Sequence, residues 1–163
     1  MKTHTQLLKR LLATRLFSTL VLGCPNSPLE NANQAYDDGD YKKAFEIYKT
    51  LAEQGKPEAQ YNLGLMYENG QVVPQDYAQA VKWYRKAADQ GYSLAQNSLG
   101  IMYENGQVVP QDYIEAHKWF NIATSNSCDS GMEYRNRVAL KMTPEQIAEA
   151  QKLAHEWKSQ PAK

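Results

Sequence analysis

The chain has 163 residues, 42% of them hydrophobic, 22% charged and 10% aromatic, with Lys+Arg and Asp+Glu both at 18. That length holds one domain or a short repeat array, and eleven Tyr and three Trp need burial that a disordered chain does not offer. Zero net charge leaves no basic excess to neutralise phosphates, which argues against general nucleic-acid binding. Two cysteines, Cys24 and Cys128, exclude a disulfide-rich scaffold and a thiolate zinc site.

Residues 1–23 carry Lys2, Lys9, Arg10 and Arg15 and no acid. The apolar run Leu16–Leu22 is too short to span a bilayer, so a basic start followed by this run reads as an export signal. Val21-Leu22-Gly23-Cys24 resembles a bacterial lipobox, which implies lipidation of Cys24 and a mature chain beginning there, at residues 24–28 a short linker. Arg15 shortens the apolar core and Leu22 is large for its place, so a plain signal peptide and an untargeted N-terminal helix stay open. Cleavage would remove the four cations and leave 14 basic against 18 acidic residues. By the same resemblance, Pro25 after the cysteine favours a lipid anchor in the outer membrane of a bacterial cell envelope, facing the periplasm.

The body of the chain repeats every 36 residues. Met66–Tyr77 recurs unchanged as Met102–Tyr113, Leu63-Gly64 as Leu99-Gly100, and Ala80, Lys82, Trp83 and Ala87 return as Ala116, Lys118, Trp119 and Ala123. An earlier copy aligns Tyr41, Ala44, Tyr48 and Gly55 with Tyr77, Ala80, Tyr84 and Gly91, but lacks the Gln-Val-Val-Pro-Gln insert. The expected units are about 29–55, 56–91 and 92–127.

Each unit reads as two antiparallel helices. Ala59, Leu63 and Tyr67 recur every fourth residue on one stripe of the first helix, and Gly64 beside them removes a side chain where the partner helix must come close. Gly70 is placed as a left-handed helix end, Pro74 breaks the loop, and Asp76 starts the second helix as N-cap. Asp76 with Gln79, and Asp112 with Glu115, have capping-box spacing. Tyr77, Ala80, Trp83, Tyr84 and Ala87 then form the buried face, ended by Gly91.

The pattern A-x-x-x-L-G-x-x-Y-x-x-G, a V-x-P-Q-D loop and A-x-x-W-Y-x-x-A-A-x-x-G is similar to the Sel1-like repeat, a relative of the tetratricopeptide repeat, over residues 30–127. The resemblance implies an all-α fold: a right-handed α/α solenoid of Sel1-like helix-turn-helix repeats with a C-terminal capping helix pair. It also implies an adaptor or scaffold for proteins. Thr124 in place of Ala88 and Ser127 in place of Gly91 lead us to expect the array to stop near residue 127. Residues 128–159 then form a helical cap over the last apolar face, with Thr143-Pro144-Glu145-Gln146 as the start of its second helix, and residues 160–163 a polar tail.

Chemistry finds little support. His4, His117 and His155 have no ligand spacing among them, Cys128 has no second thiol nearby, and packing or surface roles outweigh metal binding or nucleophilic attack for each. Trp83 and Trp119 fall at one repeat position and read as core. A cysteine-rich branch of the family is linked with β-lactams and would make this chain a cell-wall-related enzyme or β-lactam-interacting protein. That branch carries paired cysteines in each repeat, and none stand at the corresponding positions here. No enzyme, cofactor or metal is therefore expected.

A partner surface is expected on first-helix positions opposite the Ala-Leu-Tyr stripe: Tyr61, Asn62, Leu65 and Asn69, with Asn97, Ser98, Ile101 and Asn105 one unit later. Aligning Tyr36 with Tyr67 adds Glu30, Asn31 and Gln34. Tyr, Asn and aliphatic groups without Arg or Lys suit a protein or peptide partner better than nucleic acid. The expected state is a monomeric adaptor held at the membrane by its lipid anchor alone, or a cytoplasmic regulatory adaptor should the signal be false.

Overall fold

The computed structural model describes residues 26–107 and 109–158. The expected signal, Cys24 and the polar tail lie outside the described residues.

Helices α1 (Pro28–Asp37) and α2 (Tyr41–Glu53), α3 (Pro57–Asn69) and α4 (Tyr77–Asp89), and α5 (Ser93–Asn105) and α6 (Tyr113–Ser125) form three hairpins. Helices α7 (Asp129–Ala139) and α8 (Pro144–Lys158) follow. Each helix packs on the next from α1 to α7, which makes an α-solenoid. We call the first helix of each unit A and the second B.

Local chemistry sets the boundaries. Asp40, Asp76 and Asp112 accept hydrogen bonds from the N–H groups of Lys43, Gln79 and Glu115, capping the B helices. The reciprocal half of the expected box is absent at Asp76 and Asp112. Their own N–H groups already donate to the Tyr67 and Tyr103 carbonyls, so no donor is left for Gln79 or Glu115. Both halves are made at Thr143/Gln146 and at Ser27/Glu30. Gly70 and Gly106 end α3 and α5 at φ 67°, in the left-handed region that glycine enters without steric cost.

Helix contacts follow from residue size. A Cβ on Gly64 would lie 2.6 Å from the Tyr84 ring, and one on Gly100 2.5 Å from Phe120, so α3 and α5 each meet a buried ring of their B helix across a missing side chain. Trp119, Tyr84 and Phe120 are fully buried, each stabilising by about 1.5–3 kcal/mol.

Between units, a buried glutamine spans the seam. Gln60 donates to the Ala52 carbonyl of the preceding B helix and accepts from Gln90 at the end of its own. Gln96 repeats this with Ala88 and Asn126. Neither amide group is left unpaired in the dry interior, where an orphan would cost about 1–3 kcal/mol.

Beyond the third unit one more helix, α7, stacks on the array. Ser127 adopts φ 68° where Gly91 has 87°, so the turn survives the loss of glycine at a steric cost. Cys128 then takes the N-cap place of Tyr92, and α7 continues in register as a fourth A helix. The enlargement of Ala88 to Thr124 is matched by reduction of Ala95 to Gly131, whose Cβ would lie 3.0 Å from the Thr124 hydroxyl. Val138 stands at the place of Met102 and is buried like it. Arg135 and Asn136 replace Leu99 and Gly100, turning the face that would receive a B helix polar.

Both C-terminal helices pack on α6 rather than on each other. Trp157 meets Trp119 edge-on at 5.7 Å, and Ala154 joins the same core.

Candidate functional site

The expected partner face lies on the A helices, and the structure divides it into three parts. In α1, Glu30 is committed to the Ser27 N–H, Asn31 to the Asn26 carbonyl and Gln34 to Asp38, all on an exposed surface. Glu30 is thus a helix-capping residue, which the alignment of Tyr36 with Tyr67 did not reveal.

In α3, Asn69 is exposed, Tyr61 and Leu65 are half-buried in the seam with the next unit, and Asn62 is half-buried beside Tyr48 of the preceding one. Tyr61 lies 5.6 Å from the ring of Tyr84 and 5.3 Å from that of Tyr92. In α5, Asn97 is instead buried, 8% exposed, with its Oδ1 unpartnered among the described residues. Ser98 is half-buried, Ile101 packs toward Ala116, Phe120 and Val138, and Asn105 stays exposed. The groove wall and the joint between units are therefore one surface.

Hydroxyl groups from the B helices reach this joint. Tyr48 donates to Asn33 Oδ1 at 2.7 Å, and Tyr84 to Glu68 Oε2 at 2.5 Å. Burial, reinforced by Asp37 and Glu58, pushes the Tyr48 phenol up to about 12. Burial and the Glu68 carboxylate raise Tyr84 as well, and burial raises Tyr61 and Tyr92. The Ser98 hydroxyl lies beside those of both Tyr61 and Tyr84 and acts against the rise in each. Neutral phenols therefore line the joint throughout the physiological range.

Glu68 and Glu104 occupy the same position of successive repeats, and the structure gives them separate partners. Phe120 stands where Tyr84 does one unit earlier, so Glu104 has no phenol to accept from. It is buried and takes Arg137 Nη2 at 2.5 Å and Lys141 Nζ at 3.2 Å. Burial pushes its carboxyl up, but the bonds and charges of Arg137 and Lys141 outweigh this and hold it below the ordinary range. The signal was present in the sequence: the loss of a phenol at 120 coincides with the arrival of two cations in α7 and just beyond it.

His117 is buried in α6, its Nδ1 unpartnered among the described residues. Burial, aided by the Arg135 charge, lowers its pKa, so it packs as a neutral ring in the place of Val81. Cys128 is buried, with Sγ 3.3 Å from the Ser130 hydroxyl. Trp83 and Trp119 are core residues, covered by Lys86 at 4.2 Å and by Arg85 at 4.8 Å. An open cleft of about 350 Å³ lies between α6 and α8, lined by Asn121, Ser125, Gln151, Ala154, His155 and Lys158, none of them on the expected face. Among the described residues no group of three or more His, Cys, Asp or Glu is placed to hold a metal, and no helix is long and apolar enough to cross a membrane.

The Sel1 repeat pattern is matched three times, over residues 34–56, 57–92 and 93–128. The chain belongs to the Sel1 repeat family. Among solved structures, this Sel1 repeat protein is similar to a protective antigen of uropathogenic Escherichia coli displaying an SLR fold. That likeness has 34% identity and a TM-score of 0.78, over 83% of this chain and 30% of that one. The chain thus spans less than a third of the antigen's length. It is also similar to a Sel1 repeat protein from Oxalobacter formigenes, at 30% identity and a TM-score of 0.61, over 68% of this chain and 86% of that one. No curated protein matches it. The second and third matched units coincide with the α3/α4 and α5/α6 hairpins, the first takes in the end of α1 with α2, and α7, in register but polar on its outer face, falls beyond them.

Proposed function

We propose that this Sel1 repeat protein is a non-enzymatic, monomeric adaptor that binds a protein or an extended peptide along its A-helix face. In this reading it is anchored in the bacterial cell envelope through a lipidated Cys24. The observation that carries the binding half is the joint between α3 and α5. There Tyr61, Tyr92, Ser98 and Glu68 bring neutral phenols, a hydroxyl and a carboxylate to a half-buried surface beside the exposed amides of Asn69 and Asn105. Such mixed aromatic and amide surfaces supply contact area with adaptable hydrogen bonding. The anchoring half rests on the basic, acid-free residues 1–23 and the Val-Leu-Gly-Cys run that ends at Cys24. Two or three acyl chains would suffice, since each buried methylene adds about 0.8 kcal/mol.

Two measurements test the halves separately. A photo-crosslinking residue at Asn69 should capture a discrete partner that the same probe at exposed Lys49, on a B helix, does not; equal labelling at both would defeat the binding half. Intact mass should show acyl groups on a chain starting at Cys24, and Cys24→Ser should accumulate the precursor. A lipid-free chain starting at Met1 would defeat the anchoring half alone.

A further inference from the structure

Glu68 and Glu104 stand at the centre of the same run, Met-Tyr-Glu-Asn-Gly, in two copies of the repeat. At Glu104 the structure shows what this position holds when a cation is at hand. Arg137 and Lys141 both bond its carboxylate, and the Lys141 ammonium lies over the ring of Tyr113 at 5.3 Å. One unit earlier the carboxylate and the ring recur as Glu68 and Tyr77. The places of Arg137 and Lys141 are taken there by Ile101 and Asn105, neither of which can neutralise a carboxylate. Glu68 Oε2 accepts from Tyr84, while Oε1 accepts no hydrogen bond among the described residues, and both Glu68 and Tyr77 are half-buried, so they are open to a visitor. The surrounding field favours a cation: residues 26–76 hold nine Asp and Glu against four Lys.

We propose that Glu68 and Tyr77 form a seat for a lysine or arginine side chain from an extended segment of the partner, entering beside Ile101 and Asn105. This rests on the reading of the A-helix face as a peptide-binding surface and specifies the chemistry recognised there. The arrangement copies the intramolecular one at Glu104: a carboxylate bonds the cation and a phenol ring covers it.

The test uses the purified full chain and a phage-displayed library of random dodecapeptides. Enriched peptides should share a Lys or Arg. Replacing that residue by neutral norleucine should weaken binding to the wild type about tenfold and leave binding to Glu68→Gln nearly unchanged. Glu68→Gln keeps an acceptor for the Tyr84 hydroxyl and should retain the wild-type melting midpoint. Tyr77→Leu, which removes the ring but keeps an apolar group, should weaken the same peptides severalfold. Enriched peptides without a shared basic residue, or a norleucine effect of equal size in wild type and Glu68→Gln, would overturn the seat while leaving peptide binding intact. Failure to enrich any peptide would overturn the peptide-binding reading and the seat with it.

Discussion

The ring of Tyr84 occupies the space a side chain on Gly64 would need: an added Cβ would lie 2.6 Å from its Cε1 and 2.7 Å from its Cδ1. Because Tyr84 is fully buried and its hydroxyl is tied to Glu68, the ring has nowhere to move. Gly64→Val is therefore expected to overpack the hairpin by about 1–3 kcal/mol and lower the thermal midpoint followed by circular dichroism. Gly100→Val should do the same against Phe120. An unchanged midpoint in either variant would contradict this contact.

Glu104 ties stability to acid. Its pKa is lowered in the fold, so its contribution is present above the ordinary carboxylate value of 4.5 and is lost as pH falls through the folded value. Glu104→Gln should flatten the fall in stability below about pH 4.5, measured by urea unfolding across pH. Replacing Arg137 and Lys141 together by Met should destabilise at pH 7 by about 2 kcal/mol, reduced from the full cost of a buried unpaired charge because both cations are half-exposed.

His117 should act in a different pH window. Its folded pKa is lowered below 6.5, so the fold gains full stability above that value and loses it as pH falls below it, where the ring must charge beside Arg135. His117→Val restores the residue type of the preceding unit and removes an unpartnered buried nitrogen. We expect a gain of about 1 kcal/mol at pH 7 and a larger one at pH 5.5. An equal effect at both values would show that the ring's ionisation plays no part.

Ser127 and Val72 stand in the left-handed region at φ 68° and 71°. Only glycine enters it freely, and a β-branched residue is the least suited. Ser127→Gly, which restores the residue found at Gly55 and Gly91, should raise stability by about 1 kcal/mol. Val72→Gly should also stabilise, since its exposed side chain gives up little packing. Chemical denaturation of the two single variants decides both.

Features governed by one residue and its near neighbours were readable from sequence. The capping aspartates, the left-handed glycines and the close approach at Gly64 each need a particular residue type at a fixed offset, and the 36-residue period showed it more than once. What escaped was relational. Loss of glycine at 127 is local and visible in the sequence, while the Thr124/Gly131 exchange that seats α7 on α6 depends on contact between two helices. The expected open face at Asn97 and Ile101 was drawn from a single helix wheel, which carries no information about the neighbouring unit that covers them. The docking of α8 on α6 turns on Trp157 meeting Trp119, and helical periodicity fits pairing with α7 equally well.

The buried Gln60 and Gln96 make every internal joint chemically alike: each takes a carbonyl from the helix behind and an amide from its own unit. Residues 57–92 are therefore an interchangeable module. A further copy placed after residue 92 would meet the same carbonyl and the same amide at both of its edges, whereas one appended after α7 would face Arg135 and Asn136. The array can therefore be lengthened from its middle in whole modules, without new contacts at either joint.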